Sequence, residues 1–468
     1  MNGHRLLHVV HDFLPRHRAG VEIYAAALCR QLARRHHVTI LTTDYDPSAP
    51  HGELSWRVHD GLPVVEIRNN WEGGTFDASY RSDAINARIE QVLEAVQPHA
   101  VHVHSLLNLS FDLPDLAQRR GIRVVTTLHD YTLVCPSGGQ RLHRAESHVC
   151  HDIDAHRCAR CFPATVFHTK LTVGGMMRRG GRDTVIGRVA SSLHRRVPQI
   201  TRAVAARATQ VAPVTVVADD VVRRLDAARD AMAKMDLLVA PSASMADEFL
   251  RLGVPAERIT VSDYGFVASP PSRSALVGRG FSPAMVPSAG GALRVGYVGS
   301  LVWHKGVHVL IGAVRQVPHG HVQLQIHGDP AVDQGYAADL RAQSNGLSVQ
   351  FQGPFEPAQC ADVYRNLDVL VVPSLWLENS PLVIHEALMA GVPVIGSEIG
   401  GIPGLIKHEV NGLLVQPGSV DALAAALDRL ASDRELLDRL RLPLHGVKSI
   451  EDDAAEWEAR YAQVLASR

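Results

Sequence analysis

The chain has 468 residues, of which 46% are hydrophobic and 20% are charged, and its formal net charge is −1. A chain of this length usually forms more than one hydrophobic core, so two or three domains are expected. The near-neutral charge gives no argument for nucleic-acid binding, and no apolar run approaches the ~18 residues that a membrane span requires. The N-terminus has no apolar signal region, and we expect a cytoplasmic protein.

Short apolar runs rich in Val and Ile alternate with helical patterns along the chain. In the first half the runs are LLHVV, VTILTT, AVHVH, IRVVTTL and LLVAPS. In the second half they are LRVGYVGS, VQLQIHG, LSVQFQG, VLVVPS, VPVIGS and GLLVQP. Such alternation predicts parallel sheets covered by helices on both faces.

Four of the six cysteines lie in the segment 135–161, at Cys135, Cys150, Cys158 and Cys161. A Cys-x2-Cys pair with two upstream cysteines in a cytosolic chain is typical of a tetrahedral metal site. The spacing matches no standard zinc finger, so structural zinc, reduced cysteines in a core and disulfides all remain open. His148 and His151 are alternative ligands.

The two remaining cysteines, Cys29 and Cys360, lie in helical patterns and are expected in the core.

A basic segment follows at residues 165–210. It contains nine Lys or Arg and one Asp, with apolar residues between them. Basic amphipathic helices bind anionic membranes through apolar burial and charge. A solvated helical face or a mobile acceptor-binding loop is the alternative interpretation.

The stretch 266–290 is rich in Pro, Gly and Ser and interrupts the alternation, so it is the predicted linker. It separates a first domain, 1–265, from a second domain, 291–449. The predicted fold is therefore α/β, with two doubly wound domains that face a cleft. Ligands are expected at the carboxyl ends of the strands.

Two glutamates, Glu378 and Glu386, bracket the start of a predicted helix in ENSPLVIHEALMAG. The helix is expected from about Pro381 to Ala390, because Asn379 and Ser380 are good N-cap residues and Pro381 suits the first turn. The unpaired N–H groups at this helix start form a phosphate-binding geometry.

The same spacing argues against a glycosidase. Eight helical residues span about 12 Å, whereas a retaining hydrolase needs carboxylates about 5–5.5 Å apart. Two surface acids on an ordinary helix are the alternative for this pattern taken alone.

Glycine-rich loops follow the predicted strands of the second domain. Lys305 and Gly306 precede a helical pattern, where a lysine can meet a diphosphate as a point charge. Gly328 ends a strand and leaves room for a base or ribose, and Gly400 and Gly401 are expected to leave the backbone bare for a ligand.

Taken in order, these motifs resemble family 4 of the retaining glycosyltransferases, which have the GT-B fold. The motifs are Gly-x6-Lys-Gly, Gly-Asp-Pro, Glu-Asn-Ser-Pro-Leu-x3-Glu-Ala-x2-Ala-Gly-x-Pro-Val and Gly-Gly-x-Pro. The N-terminal strand, loop and helix are similar to the family's opening. The tail, 450–468, is similar to its last helix, which crosses back to the first domain.

The resemblance implies roles for individual residues. Glu386 would hold the ribose hydroxyls, and Glu378 would contact the transferred sugar. His129, in TLHDY, matches a histidine that reaches the sugar from the first domain. With Glu378 it is the expected catalytic residue, as an orienting or electrostatic group; a histidine merely hydrogen-bonded at a strand end is the alternative. The remaining donor-binding positions are Gly20, Gly299, Ser300, Lys305, Gly328, Asn379, Ser380, Pro381 and Leu382.

One position departs from the family pattern. Many members carry an arginine where this chain has Ser300, so one of two phosphate-binding cations is absent, and Arg16 or Arg18 would have to assist Lys305.

The function expected from the resemblance is transfer of a sugar from a UDP-, GDP- or ADP-sugar, with retention and without a metal. The acceptor is expected to be a glycan or a lipid-linked acceptor, reached from the inner face of a membrane. A nucleotide-sugar epimerase on the same fold and a non-catalytic nucleotide-sugar-binding protein are the alternatives. Base, sugar, acceptor and linkage depend on loop shape and stay open.

Overall fold

The computed structural model of the chain describes residues 3–143, 146–180, 214–267, 291–441 and 447–467. Their contacts group them into two compact units. The first unit holds the described residues up to Pro241, Ala246–Gly265 and the described residues from Ile450 onwards. The second unit holds Ser242–Met245 and the described residues between Phe266 and Ser449. Of the predicted linker, only Phe266 and Val267 lie in the described part of the chain.

The first unit is built on one large sheet. Its strands are β1 (Arg5–Val9), β2 (His37–Asp44), β3 (Leu54–His59), β4 (Leu62–Arg68), β5 (Ala100–Val103), β6 (Arg123–Thr127), β9 (Leu237–Ala240) and β10 (Ile259–Val261), and the separate hairpin β7 (Leu142–His143) and β8 (His148–Val149) lies outside it. The strand order is β10-β9-β6-β5-β1-β2-β4-β3. Neighbouring strands are parallel except β3 and β4.

The antiparallel pair β3–β4 was not predicted from the sequence. Its turn is the dipeptide Asp60-Gly61, and both residues have positive φ, at 48° and 79°. Asp-Gly with two positive φ angles is the usual two-residue hairpin turn. This hairpin forms the edge of the sheet.

Seven helices are described in the first part of the chain, up to Arg251. They are α1 (Gly20–Leu32), α2 (Asp83–Val96), α3 (Leu113–Gln118), α4 (Ala155–Cys161), α5 (Val166–Gly180), α6 (Ala218–Ala233) and α7 (Ala243–Arg251), the last of which begins in the second unit.

The second unit has a six-stranded, all-parallel sheet. Its strands are β11 (Leu293–Val298), β12 (Val322–His327), β13 (Val349–Phe351), β14 (Val369–Val372), β15 (Val394–Ser397) and β16 (Gly412–Val415), and its helices are α8 (Val307–Gln316), α9 (Gln334–Gln343), α10 (Cys360–Arg365), α11 (Leu382–Met389), α12 (Ile402–Leu405), α13 (Val420–Ser432) and α14 (Arg434–Arg441). The order β13-β12-β11-β14-β15-β16 is that of a Rossmann sheet. All six apolar runs predicted in this half form strands.

The packing of α8 shows why this half folds as the pattern predicts. Val307, Leu310, Ile311 and Val314 are buried and recur at helical spacing, so they form one apolar stripe against the sheet.

The final helix, α15 (Ile450–Ala466), belongs to the first unit, as predicted. It packs against α1. The Tyr24 hydroxyl donates a hydrogen bond to Asp453 at 2.8 Å, and Trp457 Nε1 donates to the Tyr24 oxygen at 3.3 Å. Buried Trp457 and Tyr461 anchor the helix.

The predicted basic segment is described only as far as residue 180; the remainder of that prediction lies outside the described residues. Within α5, Leu171 is fully buried. The Lys170 ammonium lies 5.2 Å from the Tyr45 ring centroid and 5.8 Å from that of Trp71. This lysine therefore faces the unit's own aromatic side chains. Among the helices of the described chain, none combines the length and apolarity needed to cross a bilayer.

Candidate functional site

The winding of the second sheet reverses between β11 and β14, which are neighbours in the sheet. Ligands of open α/β sheets bind at such a switch point, outside the carboxyl ends of the strands. The loop after β11 carries Lys305 and the loop after β14 carries Glu378. Lys305 Nζ lies 2.7 Å from Glu378 Oε1, and the Ser374 hydroxyl donates to the same oxygen at 2.6 Å.

Glu378 is a buried carboxylate whose charge is compensated. It is only 5% exposed. Burial alone would raise its pKa, but the charge of Lys305 and the hydrogen bonds from Lys305 and Ser374 outweigh burial and hold the pKa of Glu378 below its ordinary value. Lys305 also lies 5.1 Å from the Trp376 ring centroid. Its side chain is 26% exposed, so the pair is partly open to solvent.

Gly306 lets the Lys305 loop approach the strand end next to it. Lys305 ends a 3₁₀ turn, and Gly306 follows with a φ of 73° as the N-cap of α8. A Cβ atom on Gly306 would lie 1.9 Å from the Pro373 carbonyl oxygen. Only glycine fits here, because both the backbone angle and the close approach exclude a side chain.

A Gly306→Ala substitution is expected to destabilise the chain more than Gly320→Ala does. Gly320 also has positive φ, at 87°, but a Cβ there would meet nothing within 4 Å. Both variants carry the backbone cost of about 1–2 kcal/mol. Gly306→Ala adds an overpacking cost of about 1–3 kcal/mol. Urea unfolding of both variants measures the difference, and equal losses would contradict the packing described for this loop.

Glu386 lies on α11 in a different environment. Tyr364, on α10, donates its hydroxyl hydrogen bond to Glu386 Oε2 at 2.7 Å. Burial raises the pKa of Glu386 above its ordinary value, although hydrogen bonds from Tyr364 and Cys360 oppose the effect. Cys360 is thus half-buried beside a site residue, and the prediction that it is simply a core residue was incomplete.

The two glutamates therefore have separate partners and pKa values shifted in opposite directions. Glu378 pairs with Lys305, while Glu386 accepts a hydrogen bond from a tyrosine. This arrangement does not resemble the two facing carboxylates of a retaining glycosidase.

The helix after Glu378 begins one residue later than predicted, at Leu382, and ends at Met389. Pro381 is its N-cap, with an extended conformation, and no side chain caps the helix. Ser380, predicted as a cap, instead hydrogen-bonds His385 Nε2 at 2.8 Å through its hydroxyl. The first N–H groups of α11 are consequently not capped by a side chain.

The prediction that Gly400 and Gly401 leave the backbone bare for a ligand was wrong. Gly401 N donates to the Glu378 carbonyl at 2.7 Å. A Cβ on Gly401 would lie 1.6 Å from the Asn379 carbonyl oxygen. These glycines let one loop pack against the backbone of Glu378 and Asn379, and so they position the predicted site residues.

Gly299, Ser300 and Gly328 lie at the ends of β11 and β12. A Cβ on Gly328 would lie 2.3 Å from the Gly299 carbonyl oxygen, so these two strand ends are closely packed. The Ser300 side chain is exposed, and its carbonyl accepts a hydrogen bond from the Tyr297 hydroxyl at 2.8 Å. Ser300 itself carries no charge, so it does not supply the cation that the resemblance implies at this position.

Arg16, predicted as a helper of Lys305, has carboxylate partners within the first unit. Its Nη2 lies 2.6 Å from Glu66 Oε2, and its Nη1 pairs with Asp44. Gly20 is exposed and forms the first residue of α1.

In the first unit, His129 follows β6 and is 7% exposed. Both of its ring nitrogens are engaged by side chains: Nδ1 lies 2.9 Å from the Tyr264 hydroxyl, and Nε2 lies 3.0 Å from His104 Nδ1. The imidazole is thus part of a buried network, and in this structure its nitrogens face protein partners.

The network extends across three neighbouring strands of the first sheet. His104 Nε2 lies 3.0 Å from His8 Nδ1, and His8 Nε2 is buried without a hydrogen-bond partner. A buried ring nitrogen without a proton costs less free energy when it lacks a hydrogen-bond partner than a buried N–H group does. We therefore assign the proton of His8 to Nδ1, so that His8 donates to His104, His104 to His129, and His129 to the Tyr264 oxygen.

A fourth histidine, His102, stacks on His104 at 4.2 Å between ring centroids and bonds Tyr461 and Thr127. The pKa of His8 falls to about 3, first through burial and then through His36. The pKa of His129 also falls to about 3, first through burial and then through His11. Burial and the neighbouring histidines hold the pKa values of His102 and His104 well below the ordinary value.

The four cysteines of segment 135–161 are free thiols that share one neighbourhood. Burial, followed by Cys135, Cys150 and Cys161, raises the pKa of Cys158 to about 12. In the described part of the chain, the group whose ligand atoms all lie within 4.8 Å is His8, His102 and His104, not the cysteines.

Sequence reasoning missed several partners of the predicted residues. Ser374 and Trp376 immediately precede Glu378, so their closeness in sequence was an available indication. Tyr364 lies 22 residues before Glu386 and no sequence pattern connects them. His8 lies inside the first predicted strand, and His104 and His129 lie at or just after the ends of two others, which was the one indication of their meeting.

Solved structures identify the fold. Sucrose-phosphate synthase from Thermosynechococcus elongatus aligns over 99% of both chains, with a TM-score of 0.63 and 19% identity. HepE of Anabaena, in complex with UDP and glucose, aligns over 99% of this chain and 100% of that chain, with a TM-score of 0.56 and 16% identity. These likenesses establish the GT-B fold of glycosyltransferases, and the predicted fold class is confirmed.

Sequence comparisons give the family. The family described as glycosyl transferases group 1 matches residues 283–441, and Glycosyltransferase Family 4 matches residues 18–172. D-inositol 3-phosphate glycosyltransferase of Corynebacterium glutamicum (strain R) is 34% identical over 179 residues, which are 36% of this chain and 41% of that protein. The chain matches less than half the length of the first curated relatives. It belongs to the group 1, family 4 glycosyltransferases, as its motifs predicted.

Proposed function

We propose that this chain is a retaining glycosyltransferase that moves a sugar from a nucleotide diphosphate sugar to an acceptor. The observation that carries the proposal is the arrangement at the switch point of the second sheet. There the Lys305–Glu378 ion pair, the uncapped start of α11 and Glu386 follow one another along two loops and one helix. The arrangement combines a cation, a set of backbone N–H donors and two glutamates whose pKa values are shifted in opposite directions.

Each part fits one part of the donor. The Glu386 carboxylate would accept hydrogen bonds from the ribose hydroxyls. The first N–H groups of α11 and the Lys305 ammonium would bind the diphosphate, since both favour negative charge. Glu378, held as a carboxylate, would accept a hydroxyl of the transferred sugar. UDP and glucose occupy the structural relative HepE, which supports a nucleotide-sugar donor here.

The chemical step would depend on leaving-group stabilisation. Breaking the bond between the anomeric carbon and the phosphate oxygen places negative charge on the departing diphosphate. Lys305 and the α11 N-terminus would stabilise that charge as groups held in place before the reaction, which is the usual source of large rate effects. We propose that these groups act without a metal ion. The acceptor attacks the face that the diphosphate leaves, and a phosphate oxygen takes the acceptor proton.

His129 is proposed to act as a positioning group. Its two nitrogens are committed to His104 and Tyr264, so its ring orientation is fixed by the network. We propose that it acts electrostatically as a neutral imidazole.

The acceptor is proposed to be a glycan or a lipid-linked saccharide, as in synthesis of a polysaccharide or glycolipid at a membrane surface. The basic composition of residues 165–210 supports this proposal through its affinity for anionic lipid. In the described portion, however, Lys170 contacts Tyr45 and Trp71, so it adds nothing to a membrane-binding face.

The donor assignment is tested by thermal stabilisation with UDP, GDP and ADP. A nucleotide at one hundred times its dissociation constant should add ~2.7 kcal/mol to the stability of the wild type. A Glu386→Gln variant should lose most of this gain because the ribose hydroxyls lose a charged acceptor. Glu435→Gln, a change at an exposed glutamate of the same unit, should retain it. Stabilisation of Glu386→Gln equal to that of the wild type would refute the assigned site.

A further inference from the structure

Glu386 is a half-buried carboxylate that no cation neutralises. Among the residues that the structure describes, none forms an ion pair with it, whereas Glu378 is paired with Lys305. Burial without a cation favours the protonated form of a carboxyl, and hydrogen bonds donated to the carboxylate favour the charged form. Neutral hydrogen-bond donors are therefore the groups that keep Glu386 able to accept hydrogen bonds from a ligand.

The helix α10 supplies two such donors. Cys360 and Tyr364 lie four residues apart, so their side chains share one face of this helix. The Tyr364 hydroxyl donates to Glu386 Oε2 at 2.7 Å, and the Cys360 thiol hydrogen-bonds the same carboxylate. A hydrogen bond to a charged acceptor is stronger than one between neutral groups. Because a thiol is a weak donor, the hydroxyl makes the larger contribution.

The core of the second unit holds the Tyr364 hydroxyl in this position. Tyr364 is 1% exposed, and it belongs to a buried apolar cluster that includes Ile384, Ala387 and Leu388 of α11. The helix that carries the tyrosine and the helix that carries Glu386 are thus joined by apolar packing as well as by the hydrogen bond. A free glutamate side chain would lose rotamer freedom when a ligand binds, and here that loss is made before the ligand arrives.

The other groups near α11 leave this arrangement to Tyr364 and Cys360. The strands β14 and β15 also pack against α11, and neither contains an ionisable residue. His385, the preceding residue on α11, hydrogen-bonds Ser380 and stacks on Phe266. The charged residues of α10, Asp362 and Arg365, are exposed and pair with each other at 2.6 Å.

We propose that Tyr364 is a positioning residue of the donor site, which fixes the orientation and the charge of Glu386 before the donor binds, with Cys360 as a weaker second donor. This inference rests on the proposed function, in which Glu386 accepts hydrogen bonds from the ribose hydroxyls. Tyr364 acts through the carboxylate and need not touch the donor. Donor affinity then depends on pH through Glu386, and removal of the Tyr364 hydroxyl moves the loss of affinity to higher pH.

Calorimetric titration of the full-length chain with UDP, GDP and ADP between pH 6 and 8.5 tests the inference. For a nucleotide that binds, Tyr364→Phe should weaken binding by about 10-fold at pH 7.5. The ratio of the variant Kd to the wild-type Kd should rise as pH falls, because the carboxylate of the variant takes up its proton at higher pH. The ionisation of the nucleotide is common to both proteins and cancels in this ratio.

Tyr80→Phe is the matched control. Tyr80 is a buried tyrosine of the first unit whose hydroxyl donates to the Asp77 carboxylate at 2.8 Å. The same substitution there removes the same kind of hydrogen bond, away from the proposed donor site. Tyr80→Phe should bind the nucleotide like the wild type at every pH, so a change confined to Tyr364→Phe reports on Glu386.

The 2′-deoxy form of the nucleotide separates positioning from a general loss of structure. In the wild type the 2′-deoxy form should bind more weakly, because a hydroxyl that Glu386 accepts is missing. Tyr364→Phe should narrow the difference between the two forms, since its carboxylate already holds the ribose less well. A variant that merely loosens the second unit would weaken both forms by the same factor.

A second variant keeps the test sharp if Tyr364→Phe does not fold. Cys360→Ala should change the Kd in the same direction by a smaller factor, while Cys360→Ser, which keeps a donor, should behave like the wild type. A Kd that is unchanged in Tyr364→Phe, or a weakening that is independent of pH and equal for the ribose and 2′-deoxyribose forms, would overturn the inference and leave the donor site in place. If none of the three nucleotides binds the wild type, the proposed function is refuted and this inference with it.

Discussion

Lowering the pH from 7.5 to 5 is expected to remove most of the stability of the first unit. Four histidines, His8, His102, His104 and His129, are buried in contact with one another. Burial lowers the pKa values of all four, to about 3 for His8 and His129 and well below the ordinary value for the other two. The folded chain therefore leaves them neutral at pH values where the unfolded chain protonates them.

The sign follows from proton linkage. Below the unfolded pKa of about 6.5, the unfolded state binds protons that the folded state excludes, so stability falls as pH falls towards the folded pKa values. At pH 5 the loss is about 2 kcal/mol for each of His8 and His129, and His102 and His104 lower the stability further in the same direction. A loss of this size is comparable with the whole stability of an ordinary domain, about 5–15 kcal/mol.

Urea unfolding at pH 7.5, 6.5 and 5, followed by circular dichroism, measures this effect. The free energy of unfolding of His8→Asn should depend less steeply on pH, because unfolding of this variant takes up about one proton fewer. The asparagine amide can still donate to His104 but does not titrate. His37→Asn, at an exposed position of β2, should behave like the wild type. A free energy of unfolding that stays constant over this range would show that the network is hydrated or protonated when folded.

The histidine network also shows what the sequence pattern could and could not predict. Val- and Ile-rich runs predicted the parallel strands because buried strands need continuous apolar residues. His8 and His104 lie in those runs and His129 follows one of them, yet their meeting depends on strand order. Strand order is a tertiary property, and only the observed neighbours β6-β5-β1 place them side by side.

The hairpin β3–β4 was missed for a related reason. Along β3, the exposed residues Trp56 and Val58 alternate with less exposed neighbours. This strand is therefore half-polar and lacks the continuous apolar pattern. The Asp60-Gly61 turn was the available indication.

At the proposed donor site, local sequence rules placed Glu378 before a helix and Glu386 inside it, and the start of the helix agrees within one residue. The ion pair from Lys305 to Glu378 joins residues 73 positions apart, which no local rule addresses. The role of Gly401 was misread because a glycine that admits a ligand and a glycine that admits another backbone look the same in sequence.

The ion pair leads to the second large expected effect: Lys305→Met should reduce donor turnover by about 10²–10³-fold. The leaving diphosphate would lose its positive side chain, and uncharged Ser300 provides no substitute. Release of nucleoside diphosphate from the donor sugar by water measures this turnover without knowledge of the acceptor. Lys407→Met, which removes an exposed lysine of the same unit, should turn over donor like the wild type.

Loss of activity in Lys305→Met has a second physical cause that must be separated from the first. Removing Lys305 leaves the Glu378 carboxylate buried and unpaired, at a cost of about 3–5 kcal/mol in stability. The double variant Lys305→Met/Glu378→Gln removes both charges, so it should regain much of that stability, with the Ser374 hydroxyl still able to bond the glutamine oxygen. The single variant Glu378→Gln is the reference, because it alone removes the carboxylate proposed to bind the sugar. If Lys305 stabilises the departing diphosphate, the stable double variant should turn over donor about 10²–10³-fold more slowly than Glu378→Gln. Recovery of both stability and turnover would instead mean that Lys305 serves only to neutralise Glu378, and the diphosphate would then be stabilised by the backbone of α11 alone.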